Sequence, residues 1–173
     1  MSHFATISTQ LNNRDALIEG LRALLTEKGI AAEVEVHDHP TALISDYDRR
    51  NQAQAEIIIR RQHLHTPQRQ AQLDVGFRWN EQQDCFALVA DAWDFNQNAL
   101  GLAFLRTQRQ KGTLSPIEHF REEVQFHHDE AVIQHNYPAH LWTREDVVLD
   151  DGSIETTLTQ VVQISSETVG SAW

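Results

Sequence analysis

The chain has 173 residues, of which 40% are hydrophobic and 23% charged, so it is long and apolar enough to bury a core. Its 14 lysine and arginine residues against 25 acidic residues give a formal net charge of -11. This balance disfavours a nucleic-acid partner, because phosphate binding needs clustered cations. The single cysteine, Cys85, excludes an internal disulfide and any multi-cysteine metal site built from this chain alone.

The same composition indicates where the protein acts. No apolar stretch approaches the roughly 20 residues of a membrane span, and the first residues lack the basic and apolar regions of a secretory signal. We therefore expect a soluble, cytoplasmic protein that has no membrane partner. Cys85 lies in the apolar run 85–89 and is interpreted as a small buried hydrophobic residue rather than a nucleophile.

Apolar residues in alternation or in short runs predict seven strands. They cover residues 2–9, 32–36, 55–64, 72–79, 86–95, 146–149 and 154–164. Residues 80–84 and 150–153 are predicted as hairpin turns, the second carrying an Asp-Gly step. The polar residues 40–52 are predicted as a loop, whereas residues 100–112 either extend the sheet or form a short helix.

Two helices are predicted from apolar spacing and end signals. The first follows Asn13 as N-cap and ends near Gly29, and the second begins with Pro116 in an early helical position and runs to about Asn136. Each carries an apolar stripe expected to face the core. The stripes are Leu17, Leu21, Leu24 and Leu25 in the first helix and Ile117, Phe120, Val124 and Ala131 in the second.

The predicted order is therefore β-α-β-β-β-β-α-β-β. Because strands come in runs, this order indicates an α+β fold, with a mainly antiparallel sheet and two principal helices packed on one face. The sequence predicts one α+β domain over residues 1–165 and a flexible C-terminal tail over residues 166–173.

Several segments together resemble a known family. They are residues 1–4 (MSHF), Ile7, Gln10, 74–80 (DVGFRWN), 86–91 (FALVAD) and 151–154 (DGSI). Over roughly residues 1–165 the chain resembles the hypothetical chloroplast reading frame thirty-five family, also called domain of unknown function twelve fifty-seven. The opening tetrapeptide and the DVGF-x-W segment carry most of this resemblance.

The resemblance implies neighbouring genes and a class of partner, but no biochemical activity. Members tend to be shorter, so residues 40–52 and 97–112 are interpreted as insertions. Members of the family often carry a Gln-Arg-Tyr-Ala-like run in the second helix. In this chain residues 126–129 (FHHD) stand in its place, so any role tied to that run is without support here. Related genes are thought to lie near an ATPase of the AAA+ type and small ferredoxin-like proteins, which implies an accessory subunit.

Two H-x-H pairs are candidate metal ligands. His37 and His39 are predicted to share one strand face, and His63 and His65 repeat the spacing at the end of another strand. Either pair could bind Zn²⁺ together with a carboxylate, although polar strand ends are the alternative. If the two strands are antiparallel, we expect the pairs to lie at opposite edges and not to converge.

The second helix offers another set of candidate ligands. His119, Glu123, His127 and Glu130 share one face by spacing, which suits either metal ligands or, as we favour, a solvated face of Glu–His pairs. His128 falls on the apolar stripe and is expected to be a hydrogen-bonded core residue.

Residues in and near the family-like segments are candidates for partner binding. Phe77 and Trp79 share a strand face with Val75, which predicts either core packing or an aromatic anchor at a protein interface. The candidate partner-binding residues are His3, Phe4, Asp74, Phe77, Trp79 and Asp91.

No catalytic motif supports an enzyme. The chain has no nucleophile elbow and no phosphate-binding glycine loop, so an AAA+ partner would have to supply nucleotide chemistry. We expect a non-catalytic accessory or adaptor protein that needs no cofactor and acts through protein–protein contacts. The alternative is a metal-binding protein or metal-dependent enzyme that uses clustered histidines, and a third hypothesis is a pH response of the ten imidazoles.

Overall fold

The structure, a computed structural model, describes residues 3–47, 49–50, 52–111 and 114–161. Of residues 106–111 it describes the backbone alone. The chain divides into two compact units, Met1–Val132 and Ile133–Trp173. The single domain predicted over residues 1–165 stays a prediction, and the tail at 166–173 lies outside the described residues.

Five strands form one sheet in the first unit. They are β1 (Ala5–Leu11), β2 (Val34–Leu43), β3 (Ala53–Ile59), β4 (Val75–Asn80) and β5 (Cys85–Ala90). Their order across the sheet is β1-β5-β4-β3-β2, and every neighbouring pair is antiparallel. β1 and β2 are therefore the two edges.

Four α-helices are present among the described residues, two more than predicted. They are α1 (Arg14–Glu27), α2 (Ala92–Phe95), α3 (Ala99–Lys111) and α4 (Pro116–Asn136). With helices packed against an antiparallel sheet, the predicted α+β class is confirmed. In the described part of the chain, no helix has the length and apolar character needed to cross a membrane.

Local signals fix both ends of α1. The Asn13 side chain accepts a hydrogen bond from the backbone N–H of Ala16 at 3.0 Å, which confirms the predicted N-cap. At the other end Gly29 takes a φ of 68°, and the N–H of Ile30 reaches back to the carbonyl of Leu25 at 2.9 Å. The left-handed glycine closes the helix in the usual way.

α4 begins with a reciprocal cap. The Glu118 carboxylate accepts from the Ser115 N–H at 2.9 Å, while the Ser115 hydroxyl faces the Glu118 N–H at 3.4 Å. Both predicted ends of this helix, Pro116 and Asn136, are confirmed. Its predicted core stripe is buried as well, at Ile117, Phe120, Val124 and Ala131.

The main core lies between α1, α4 and one face of the sheet. Phe120 of α4 packs against Phe77 of β4 and Phe95 of α2, with ring centroids 6.4 and 5.2 Å apart. The two helices approach closely at Gly20, where an added Cβ would come within 2.9 Å of the backbone of His127 and His128.

The predicted strand over residues 86–95 was wrong at its end. β5 stops at Ala90, because the carboxylate of Asp91 accepts from the N–H of Asp94 at 2.7 Å and thereby caps α2. Residues 100–111 of the segment left open by the sequence belong to α3, and residue 112 lies outside the described residues.

The predicted loop over residues 40–52 was wrong at its start. The loop was predicted from the polarity of these residues, but β2 continues to Leu43, with a shift in its register against β3 between Val36 and Thr41. The strand predicted over residues 55–64 ends earlier, at Ile59, and is followed by a short 3₁₀ helix.

A smaller cluster lies on the other face of the sheet. Ile58, Gly76 and Val89 face one another across β3, β4 and β5, and Leu43 and Ala55 pack onto them. A Cβ at position 76 would lie 2.6 Å from the Cβ of Ala55 and 2.9 Å from a methyl of Leu43. The absence of a side chain at Gly76 is therefore a packing requirement.

The second unit contains a two-stranded hairpin. Its strands are β6 (Trp142–Val148) and β7 (Ile154–Gln160), paired so that Val148 faces Ile154. Between them, Gly152 adopts a φ of 83° and donates its N–H to the carbonyl of Leu149. The hairpin turn predicted at residues 150–153 is confirmed.

We expect Gly76→Ala to lower the free energy of unfolding by about 1–3 kcal/mol, the usual cost of overpacking a close contact. Urea denaturation measures this change. In the double variant Gly76→Ala/Ala55→Gly the opposing methyl is removed, so the double variant should be more stable than Gly76→Ala alone. A double variant whose losses simply add would contradict the steric explanation.

Candidate functional site

Asp74, a candidate partner-binding residue, is fully buried and serves the fold. One carboxylate oxygen accepts from the N–H of Ile44 and from Arg60 Nη1, each at 2.8 Å. The other accepts from the N–H of Arg61 at 2.8 Å. With both oxygens occupied and no exposed surface, Asp74 does not itself contact a partner.

The Arg60 guanidinium extends this network toward the β2 edge. Besides Asp74, it donates to the carboxylate of Glu35 at 2.8 Å and to the carbonyl of Ala42 at 3.0 Å. Burial opposes the charge of Arg60, but hydrogen bonds to Asp74 and Glu35 raise its pKa above the ordinary value. Burial likewise opposes ionisation of Glu35, yet hydrogen bonds from His37 and Arg60 lower the pKa of its carboxyl.

A second buried carboxylate, Asp94, was not anticipated from the sequence. It accepts from Arg69 Nη2 and from the backbone N–H groups of Gln72 and Leu73, each at 3.1 Å. Burial raises the pKa of Asp94 above its ordinary value of 3.8, although the backbone hydrogen bonds oppose the rise. Asp91, another candidate partner-binding residue, is buried as the cap of α2.

The other candidate partner-binding residues are dispersed. Phe77 is buried in the main core, and Trp79 is partly buried beside Phe86 with ring centroids 5.0 Å apart. His3 is exposed, whereas Phe4 is partly buried on the smaller cluster. The structure does not bring the six residues together on one exposed surface.

The two H-x-H pairs do not form a joint site. β2 and β3 are antiparallel, the arrangement in which the pairs are not expected to converge, and His37 and His39 lie within the irregular part of β2. His63 ends the 3₁₀ helix, and the Nδ1 of His65 accepts the N–H of Ala71 at 2.9 Å. Within the described ranges, no three His, Cys, Asp or Glu side chains are grouped so that they could hold a metal ion.

The predicted solvated face of α4 was wrong at His119. This side chain is only 2% exposed, and its ring lies edge-on to Phe104 with centroids 5.2 Å apart. Its Nε2 lies 3.4 Å from Glu123, but neither ring nitrogen has a hydrogen-bond partner among the described residues. Further along, His127 pairs with Glu27 of α1 at 3.1 Å, and Glu130 is partly buried.

His128 is the hydrogen-bonded core histidine that the sequence predicts. Its Nε2 accepts the N–H of Asn13 at 3.2 Å, so Nδ1 carries the proton and donates to Asp129 at 2.8 Å. The imidazole therefore joins the start of α1 to α4, and both ring nitrogens are used.

Among the described residues of the second unit, four exposed apolar side chains lie at the end of the hairpin, here called the hairpin tip. Its members are Val147, Val148, Leu149 and Ile154. Val148 is 71% exposed and Val147 is 56% exposed. Because Val148 pairs with Ile154 while Val147 pairs with Glu155, apolar side chains emerge on both faces of the ribbon.

The surroundings of the hairpin tip are acidic. Residues 133–161 contain one arginine and no lysine against five acidic residues. The arginine, Arg144, donates to Asp146 at 2.8 Å, and this bond together with one from Thr156 lowers the pKa of the Asp146 carboxyl. Sequence reasoning missed this feature although the signal was present: Val147 and Val148 are successive residues of one strand and cannot both face one core.

Comparisons with protein-family models, with curated proteins and with solved structures find no match. Membership of the family that the sequence resembles therefore stays a prediction.

We expect Asp74→Asn to lower the free energy of unfolding by about 3 kcal/mol, because Arg60 would be left buried against a neutral side chain. Urea denaturation at pH 7 measures the loss. The matched control is Asp46→Asn, whose exposed pair with Arg61 should be worth less than about 1 kcal/mol. Equal losses in the two variants would contradict the role given to burial.

The pKa of the Asp94 carboxyl should be shifted in the opposite direction from that of the Asp146 carboxyl. The carboxyl of Asp94 should titrate above 3.8 and that of Asp146 below it, as followed by carboxyl carbon chemical shifts. Since the folded state then holds the Asp94 proton more tightly than the unfolded state, this group favours folding at low pH. Its contribution is lost as the pH rises from about 3.8 through the raised pKa. Asp94 titrating below 3.8 would contradict this assignment.

Proposed function

We propose that this protein is a non-catalytic adaptor, an accessory subunit that works through protein–protein contacts made by the hairpin tip. The observation that carries the proposal is the exposure of four large apolar side chains at the end of a two-stranded ribbon. A lone two-stranded hairpin is marginally stable in water. Burial of Val147 and Val148 by a partner would add about 1.5–3 kcal/mol for each side chain fully covered.

The chemistry of the hairpin tip defines the partner surface. Apolar side chains emerge on both faces, so the complementary surface is a groove with apolar walls rather than a flat patch. Asp150, Asp151 and Glu155 surround these side chains, and the groove would carry lysine or arginine at its rim. Opposite charges would also speed association with this acidic chain.

An ATPase of the AAA+ type is the partner class that the family resemblance favours. In this proposal the ATPase supplies the nucleotide chemistry, and the adaptor contributes binding alone. The proposed place of action is the cytoplasm, in keeping with a single cysteine that is buried and reduced.

The test is co-purification of the tagged chain from its native host, with and without ATP. We expect a stoichiometric partner, identified by mass spectrometry, to be retained by the native chain. The double variant Val147→Ser/Val148→Ser should weaken retention at least tenfold, since it removes most of the apolar surface of the tip.

The matched control is Leu102→Ser, which changes an exposed apolar side chain on α3. This variant should retain the partner, and circular dichroism should show that both variants are folded. Absence of any stable partner in either nucleotide state, or equal loss in the hairpin and control variants, would overturn the proposal.

A further inference from the structure

The two edges of the five-stranded sheet differ in how they are protected. Natural sheets block their edges with charges, proline and bulges. β2 has all three, because residues 37–40 (HDHP) occupy the interval of its register shift and Glu35 and Arg60 form an ion pair beside it. This edge is closed to a further strand.

The β1 edge has far less protection. No charged residue and no proline occurs between Phe4 and Asn13, although the register against β5 shifts between Ile7 and Leu11. The exposed side chains of this strand, those of Ala5, Thr6, Ser8 and Gln10, are small or polar, whereas Ile7 is partly buried and Leu11 is buried. Main-chain groups along its first half therefore offer a template for pairing.

A groove runs beside β1, between the strand and α4. It encloses about 350 Å³ and is lined by Ser8, Thr9, Gln10, Arg121, Glu122 and Gln125. Gln125 reaches from α4 to accept the N–H of Gln10 at 3.1 Å, which shows that helix side chains come within hydrogen-bonding distance of the strand backbone. A strand added here would lie against β1 on one side and α4 on the other.

Among the described residues that line this groove, Arg121 is the one cation and Glu122 the one carboxylate. Arg121 forms no ion pair within 4.0 Å with a described residue, and it acts on Glu118 only through longer-range charge attraction. An unengaged guanidinium favours a carboxylate, which it binds through two parallel hydrogen bonds. Because the chain as a whole carries a charge of -11, a segment with many acidic residues would be repelled.

The groove fits a single extended segment better than a second copy of this chain. Pairing β1 with β1 of another copy would place both α4 helices on the same side of the joined sheet, close to the two-fold axis. Strands pair about 4.8 Å apart, whereas packed helices need 8–10 Å between axes. The side chains that line the two grooves would compete for one space, while a lone segment has no helix behind it.

We propose that the β1 edge binds an extended, largely uncharged segment of a partner protein by strand addition, with one carboxylate of that segment on Arg121. Main-chain hydrogen bonds supply the affinity and the carboxylate fixes the register. This site is separate from the hairpin tip and does not depend on it.

The test uses a phage-displayed library of random peptides of about nine residues, long enough to cover the strand. Selection on the full chain should enrich β-branched sequences that share one Asp or Glu. The enriched peptide, synthesised with a fluorescent label, should lose about tenfold in affinity to Arg121→Ala. It should show no measurable binding to Ser8→Pro, because proline introduces a ring and removes a backbone N–H donor from the edge strand β1.

Two measurements keep the result independent of any folding defect in Ser8→Pro. Hydrogen exchange on the native chain should slow over residues 5–11 when the peptide is bound. Arg78→Ala, which removes an exposed cation from a different groove on the sheet, should leave affinity unchanged.

The hairpin variant Val147→Ser/Val148→Ser should bind the peptide as the native chain does, so failure of one site is distinguished from failure of the other.

Several outcomes would overturn the strand-addition site. Among them are a library that enriches nothing, enriched peptides without a shared acidic position, and slowed exchange outside β1. A concentration-dependent dimer of the native chain that Ser8→Pro dissociates would also overturn the proposal, since a second copy would then be the occupant.

Discussion

The five-stranded sheet depends on the buried carboxylate of Asp74. Taking a carboxylate out of water costs several kcal/mol unless hydrogen bonds and an opposite charge replace the lost hydration. Here Arg60 and the backbone N–H groups of Ile44 and Arg61 provide that replacement. Because these groups follow β2 and β3 and Asp74 precedes β4, one side chain fixes the ends of three strands.

The same network explains why the two edges of the sheet differ. Arg60 continues from Asp74 to Glu35 and to the carbonyl of Ala42, so the irregular stretch of β2 is held by charged side chains. That edge is charged. Among the described residues, β1 has no comparable network, and it is held by β5 and by contacts such as that between Gln10 and Gln125.

The ends of α1 and α4 could be predicted better than the ends of the strands because the signals at those helix ends are local, whereas α2 was not predicted. Asn13 as a cap, Pro116 at a first turn and an apolar stripe each depend on residues within a few positions of one another. The ends of β2 and β5 depend instead on a bulge and on the capping carboxylate of Asp91, which override alternation. Fold class was accessible from the order of elements, but the ends of β2 and β5 were not.

The candidate sites were harder to predict, because burial decides the role of a polar residue and burial is a property of the whole fold. Asp74 and Asp91 stand in family-like segments and were named as candidate partner-binding residues, yet both are buried. His119 and His128 lie on one helix and are equally buried, but only His128 has hydrogen-bond partners for both nitrogens. No spacing rule separates the two cases.

The two proposed interfaces use different physics, and this difference bears on specificity. At the hairpin tip, burial of Val147 and Val148 in any apolar groove would be favourable. Selectivity must therefore come from the acidic rim and the charge of the partner. At β1 the main chain accepts any extended segment, so selectivity must come from Arg121. In a chain with a charge of -11, the first site favours basic partners and the second requires one well-placed acidic group. The two proposed sites would therefore select partners of different charge.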